Sequence, residues 1–170
     1  MRPSAGFTLI ELLIVFSLTS ILGVVGFVNF KDYAADQVAT RAVGQIQSIL
    51  RLAQSNATSY TNCNGAAVSS WSLSFTSSSM QLSCNPSGTP KAYPLTDAAV
   101  VITGDSGCAI PLPATVSYSP GTAAQTVTSA TALSTCLQSS TITFTVSNTR
   151  NPSSPAKTLK ISKGGAINVQ

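Results

Sequence analysis

The chain has 170 residues, a formal net charge of +4 and only 8% charged residues. Soluble globular domains carry about a quarter charged residues, so an ordinary cytosolic protein is a poor fit. There is no His and there are five acids; Asp97 and Asp105 stand alone, so no catalytic or calcium-binding constellation can be assembled, and no cofactor or metal is expected.

The N-terminus is the first element. A basic tip, Met1-Arg2-Pro3-Ser4-Ala5-Gly6, leads into Phe7 to Phe30, whose one charge is Glu11. Helical rise of about 1.5 Å per residue makes this run about 36 Å long, enough for a bilayer core. A secretory signal would have an apolar core of about 7–15 residues and then a small-residue cleavage site; this run is longer, and no Ala-x-Ala follows it. Arg2 ahead of the span places the N-terminus in the cytoplasm and the bulk outside. A carboxylate inside such a span is costly, and that marks it as functional.

Beyond Phe30 the helical period continues but turns amphipathic. Ala35, Val38, Ala42, Ile46, Ile49 and Ala53 recur at three- and four-residue steps, which predicts one helix from about Thr8 to about Asn56 whose outer half docks on a head.

The head reads as β. Trp71–Phe75 and Met80–Cys84 alternate across a Thr76–Ser79 turn, and Thr141–Val146 alternates with its Thr outward. Val100–Ile102 and Thr115–Tyr118 are further strands. A three-residue turn at Lys163-Gly164-Gly165 sets Ile161 opposite Ile167 and Leu159 opposite Val169 on one face. Residues 85–94, 103–113, 120–135 and 148–155 read as Ser/Thr/Gly/Pro-rich loops. The fold class expected is α+β: a long N-terminal helix on an antiparallel sheet.

Cys63, Cys84, Cys108 and Cys136 allow three pairings. Short polar loops favour Cys63–Cys84 with Cys108–Cys136. A metal site is the competing reading, though it lacks a CxxC pair and a His.

Gly6-Phe7-Thr8-Leu9-Ile10-Glu11-Leu12 resembles the processing site of type IV prepilins and type II secretion pseudopilins. The resemblance implies cleavage between Gly6 and Phe7 by a membrane prepilin peptidase, N-methylation of Phe7, and assembly into a pilus-like filament by way of an inner-membrane platform and other pilin or pseudopilin subunits. Leu50–Ala57 and Leu159–Val169 are similar to segments of H-type pseudopilins and FimT/FimU-type minor pilins. Many pilins carry a Pro near the end of the apolar segment; here none occurs between Pro3 and Pro86, and Gly23 and Gly26 are the weak points instead.

The expected organisation is a leader at 1–6, a transmembrane and filament-core half-helix at 7–30, and a periplasmic or extracellular head at 31–170. The resemblance implies a minor pilin or pseudopilin of the initiation or tip complex, stored in the inner membrane before assembly. Glu11 either neutralises its own Phe7 amine one helical turn away or meets that of a neighbouring subunit. Arg150, Lys157, Lys160 and Lys163, with no acid after Asp105, are compatible with a DNA-binding competence pilin, since some FimT-like pilins bind DNA during natural transformation; otherwise they guard an edge strand against aggregation. A membrane-anchored surface protein with no filament role is the third reading.

Overall fold

The computed structural model describes residues 8–86, 88–104, 107–129 and 140–170, with backbone alone at 25–32 and 35. One helix, α1, runs from Leu9 to Thr58. Thr8 caps its start, its hydroxyl accepting from the Glu11 N–H at 3.3 Å. The helix passes Gly23 and Gly26 unbroken. With no Pro to remove an N–H, nothing in the chain forces a break there.

The two halves of α1 differ as the hydrophobic pattern dictates. From Leu9 to Val24 every side chain is exposed. In the outer half Ala39, Ala42, Val43, Ile46, Ile49, Leu50, Ala53 and Ala57 are buried, one stripe at helical spacing that meets the head.

Among the described residues ten strands form the head. The first sheet has the order β3 (Lys91–Pro94), β2 (Ser79–Asn85), β1 (Ser70–Phe75), β6 (Ala114–Tyr118), β7 (Gln125–Ser129). The second has the order β10 (Ile167–Val169), β9 (Lys157–Ser162), β8 (Thr141–Asn148), β4 (Ala98–Gly104), β5 (Ala109–Ile110). All neighbours are antiparallel. The head is therefore two sheets, where the sequence suggested one. Strands β3, β5 and β7 also occupy stretches expected to be loops.

Period-two alternation sends Leu73, Phe75, Val116 and Tyr118 inward from the first sheet and Val100, Ile102, Ile142, Phe144, Val146, Leu159 and Ile161 inward from the second. Phe75 and Phe144 meet at 4.9 Å between ring centroids, tilted by 48°, and join the two sheets. Many of the outward residues are Ser and Thr, and some pair across strands: Ser72 with Ser117 and Ser74 with Thr115, each at 3.0 Å. The expected hairpin across Thr76–Ser79 is present, with Phe75 opposite Met80, and so are the expected registers Ile161 opposite Ile167 and Leu159 opposite Val169.

The last turns of α1 hold two loops in place. The Gln54 side-chain amide donates to the Gly165 carbonyl at 3.2 Å and to the Ala123 carbonyl at 3.4 Å. Gly165 has φ 85°, and a Cβ there would run into both Ala123 O and Gln54 Nε2. That position in the β9–β10 turn accepts glycine alone.

Tyr118 is fully buried, and its hydroxyl has no hydrogen-bond partner among the described residues. Burial pushes its phenol up to about 12. The folded state thus favours the neutral form, while the unfolded chain ionises near pH 10. Stability from the neutral phenol is complete below about pH 10 and is lost as pH rises from about 10 to 12, by roughly 2–3 kcal/mol. We expect urea unfolding at pH 7 to show Tyr118→Phe equal to wild type or up to about 1 kcal/mol more stable. Its stability should also fall less between pH 10 and 12; an equally steep fall would assign the alkaline loss to other groups.

Candidate assembly segment and surface residues

The candidate site begins where the helix begins. Gly6 and Phe7, the expected cleavage and methylation positions, lie outside the described residues. Thr8-Leu9-Ile10-Glu11 has the spacing of a capping box, Ser/Thr followed three residues later by Glu, a signal the sequence reading passed over. The Thr8 hydroxyl supplies one half of that box, on the Glu11 N–H. Among the described residues the Glu11 carboxylate has no ion pair and is exposed.

Around it, Leu9, Ile10, Leu12, Leu13, Ile14, Val15, Phe16, Leu18, Ile21, Leu22 and Val24 are all exposed. They ring the helix on every side, and so large a bare apolar surface marks contact with lipid or with other apolar helices. Among the described residues no helix is long and apolar enough to cross a membrane. The expected span 7–30 begins outside them at Phe7, and its side chains from Val25 to Phe30 are outside them as well.

The C-terminal cations do not converge. Arg150, in the segment after β8, binds Asp97 at 2.7 Å. That segment is ordered by the Asn148 side-chain oxygen, which accepts from the Arg150 and Asn151 N–H groups at 2.8 and 3.1 Å. Lys157 binds Asp36 of α1 at 2.9 Å, both side chains about one-third exposed, and clamps β9 to the helix. Lys160 lies three residues further along β9, hence on the opposite face, next to the inward Leu159 and Ile161. Lys163 is exposed in the β9–β10 turn. Two of the four cations are held by carboxylates, and Lys157 and Lys160 face opposite ways.

Cys63 and Cys84 are disulfide-bonded, with Cα atoms 5.9 Å apart. The bond ties the segment after α1 to β2. Cys108 is also disulfide-bonded; its expected partner, Cys136, lies outside the described residues.

Residues 1–27 match the prokaryotic N-terminal methylation motif. The chain is also similar to two fimbrial proteins of Pseudomonas aeruginosa, each 38% identical over 55 residues, 32% of this chain and 36% of the relative. The chain thus spans about a third of the length of the curated relatives it matches. No solved structure matches it.

Proposed function

We propose that the chain is a pilin-type filament subunit, made with the leader 1–6, cut by prepilin peptidase between Gly6 and Phe7 and methylated at Phe7. Before assembly it sits in the inner membrane through 7–30, with its N-terminus cytoplasmic and the head 31–170 periplasmic. The assembly platform then draws it into a pilus or a type II secretion pseudopilus. The observation that carries this reading is the all-round apolar surface from Leu9 to Val24, with Glu11 as its one charge. Such a helix suits lipid first and a bundle of like helices afterwards.

Glu11 then has its role in assembly. A methylated amine at Phe7 of one subunit and the Glu11 carboxylate of its neighbour form a charge pair in low dielectric, which fixes axial register. Ser17, Thr19, Ser20 and Gly23 permit close helix packing. Ser17 and Thr19 already return their hydroxyls to Ile14 O at 2.8 Å and Val15 O at 2.9 Å, so they bring no unsatisfied donor into a bundle. The likeness of Leu50–Ala57 and Leu159–Val169 to H-type pseudopilins and FimT/FimU-type minor pilins supports reading it as a minor subunit of the initiation or tip complex.

The DNA-binding reading is the weaker one. A duplex backbone rewards a row of unpaired cations on one face. Here Arg150 and Lys157 are already engaged, and Lys160 points away from Lys157.

Processing is the direct test. Expressed with prepilin peptidase, the full chain should lose the mass of Met1–Gly6 and gain one methyl group; expressed without it, the chain should keep Met1. An identical mass in both hosts refutes the proposal.

A further inference from the structure

At the C-terminal end of α1, the helix, the segment after it and the β1–β2–β3 side of the first sheet enclose a cleft of about 330 Å³. Register explains what lines it. Trp71 stands opposite Cys84, Leu82 opposite Lys91 and Met80 opposite Tyr93. By alternation Trp71, Leu82, Lys91 and Tyr93 therefore share the sheet face that elsewhere is core. At this corner the face meets Leu52 and Asn56 of the last helical turns and Asn62 of the following segment.

Trp71 and Tyr93 each pack on the core and remain half-exposed. The indole N–H donates to the Thr61 carbonyl at 3.4 Å, which fixes the ring. Lys91 Nζ lies 5.4 Å from the Tyr93 ring centroid. The Cys63–Cys84 bond lines the cleft too, and a Cβ at Gly88 would collide with Cys84 Sγ, so the wall is closely fitted there.

We propose that this cleft binds a carbohydrate ring bearing a carboxylate, a hexuronate unit of an acidic polysaccharide. Half-exposed aromatic rings offer apolar faces to the C–H face of a pyranose while their polar edges stay wet. The side-chain amides of Asn56 and Asn62 each donate and accept, as sugar hydroxyls require. Lys91 supplies a charge-assisted hydrogen bond to the carboxylate. Among the described residues the lining holds that one cation and no carboxylate, so an acidic sugar meets attraction without repulsion. The volume sits at the low end of small-molecule pockets, about 300–1,000 Å³, and suits one or two rings.

Single-stranded nucleic acid also stacks on aromatics, but it needs a track of cations along its backbone, and this cleft has one. Helical rise puts Asn56 about 70 Å along α1 from Leu9, at the end farthest from the apolar segment. The assignment holds whether or not the chain enters a filament.

Trp71 is the sole tryptophan, so its fluorescence reports on the cleft. The test is a titration of the full chain, in a detergent without sugar headgroups, with an alginate hexasaccharide, cellohexaose and an oligothymidylate. The expected result is a saturable change with the uronate hexasaccharide and weaker binding of cellohexaose. Lys91→Gln should weaken uronate binding about tenfold, and Asn62→Ala should weaken it as well. Both positions are exposed, and unchanged thermal melts would show that neither variant unfolds the head. Three outcomes overturn the proposal: no saturable response to uronate, tighter binding of the oligothymidylate, or uronate binding that both variants leave intact.

Discussion

Replacing Glu11 with Ala is expected to leave the leader cleaved and the head folded, yet to cut the amount of this chain in sheared filaments by at least about tenfold. Removing one partner of a buried ion pair costs about 3–5 kcal/mol, because the other charge stays buried and unpaired. At about 1.4 kcal/mol per factor of ten, that is more than a hundredfold in an assembly equilibrium. The effect belongs to assembly alone. Glu11 lies in the first turn of α1, whereas the buried stripe that carries the head begins at Ala39. The thermal unfolding of the head should therefore match wild type. Immunoblots of sheared and membrane fractions check the prediction, and an unchanged sheared fraction would leave the apolar helix as an anchor only.

Phe144→Ala should cost about 3–5 kcal/mol of folding free energy. Phe144 is fully buried at the centre of the second sheet and rests on Phe75 of the first. Truncation both opens a cavity and removes the aromatic contact between sheets, itself worth about 0.5–1.5 kcal/mol. A domain of this size has about 5–15 kcal/mol in total, so the variant sits near the threshold of folding. Urea unfolding followed by circular dichroism measures the loss. A Phe75→Ala, Phe144→Ala double-mutant cycle should give a coupling of about 1 kcal/mol. A loss under about 1 kcal/mol for Phe144→Ala would mean that the two sheets are joined elsewhere.

How much of this was legible in the sequence follows from which forces leave a local trace. Helix α1 was legible because its buried stripe repeats every three or four residues from Ala39 to Ala57. The β9–β10 register was legible because Gly164-Gly165 pins the turn and Leu159 and Ile161 must share a face. The missed strands β3, β5 and β7 are all sheet edges. An edge strand is short and paired on one side, and it is held by its neighbour rather than by its own pattern. β3 carries Lys91 and Pro94, and β5 is two residues long. The division into two sheets depends on β1 pairing with β6 and β4 with β8, contacts distant in sequence that composition does not encode. Strands with mostly Ser and Thr outward and aliphatics inward could have been dealt into one sheet or two.

The basic patch is a different case. Lys157 and Lys160 are an odd number of residues apart on a strand, so alternation alone places them on opposite faces. Reading the positive charge as one cluster overlooked that period. Asp36 and Asp97 then take up Lys157 and Arg150, which no local pattern announces. At the N-terminus the expected site is compressed into Gly6, Phe7 and Glu11, a local pattern that falls within the residues 1–27 matched by the methylation motif, whereas the cap that Thr8 gives to α1 was not read from it. The cleft beside Trp71 was not legible, because its walls come from α1, the segment after it, and three strands.

The most direct test of a filament-subunit function is mass spectrometry of filaments sheared from the surface of the cells that make this chain, run beside the membrane fraction. The account predicts a peptide beginning at N-methylated Phe7 in the sheared material if the filament is an external pilus. A periplasmic pseudopilus would leave that processed peptide with the membranes. An N-terminus at Met1 in every fraction would contradict the account.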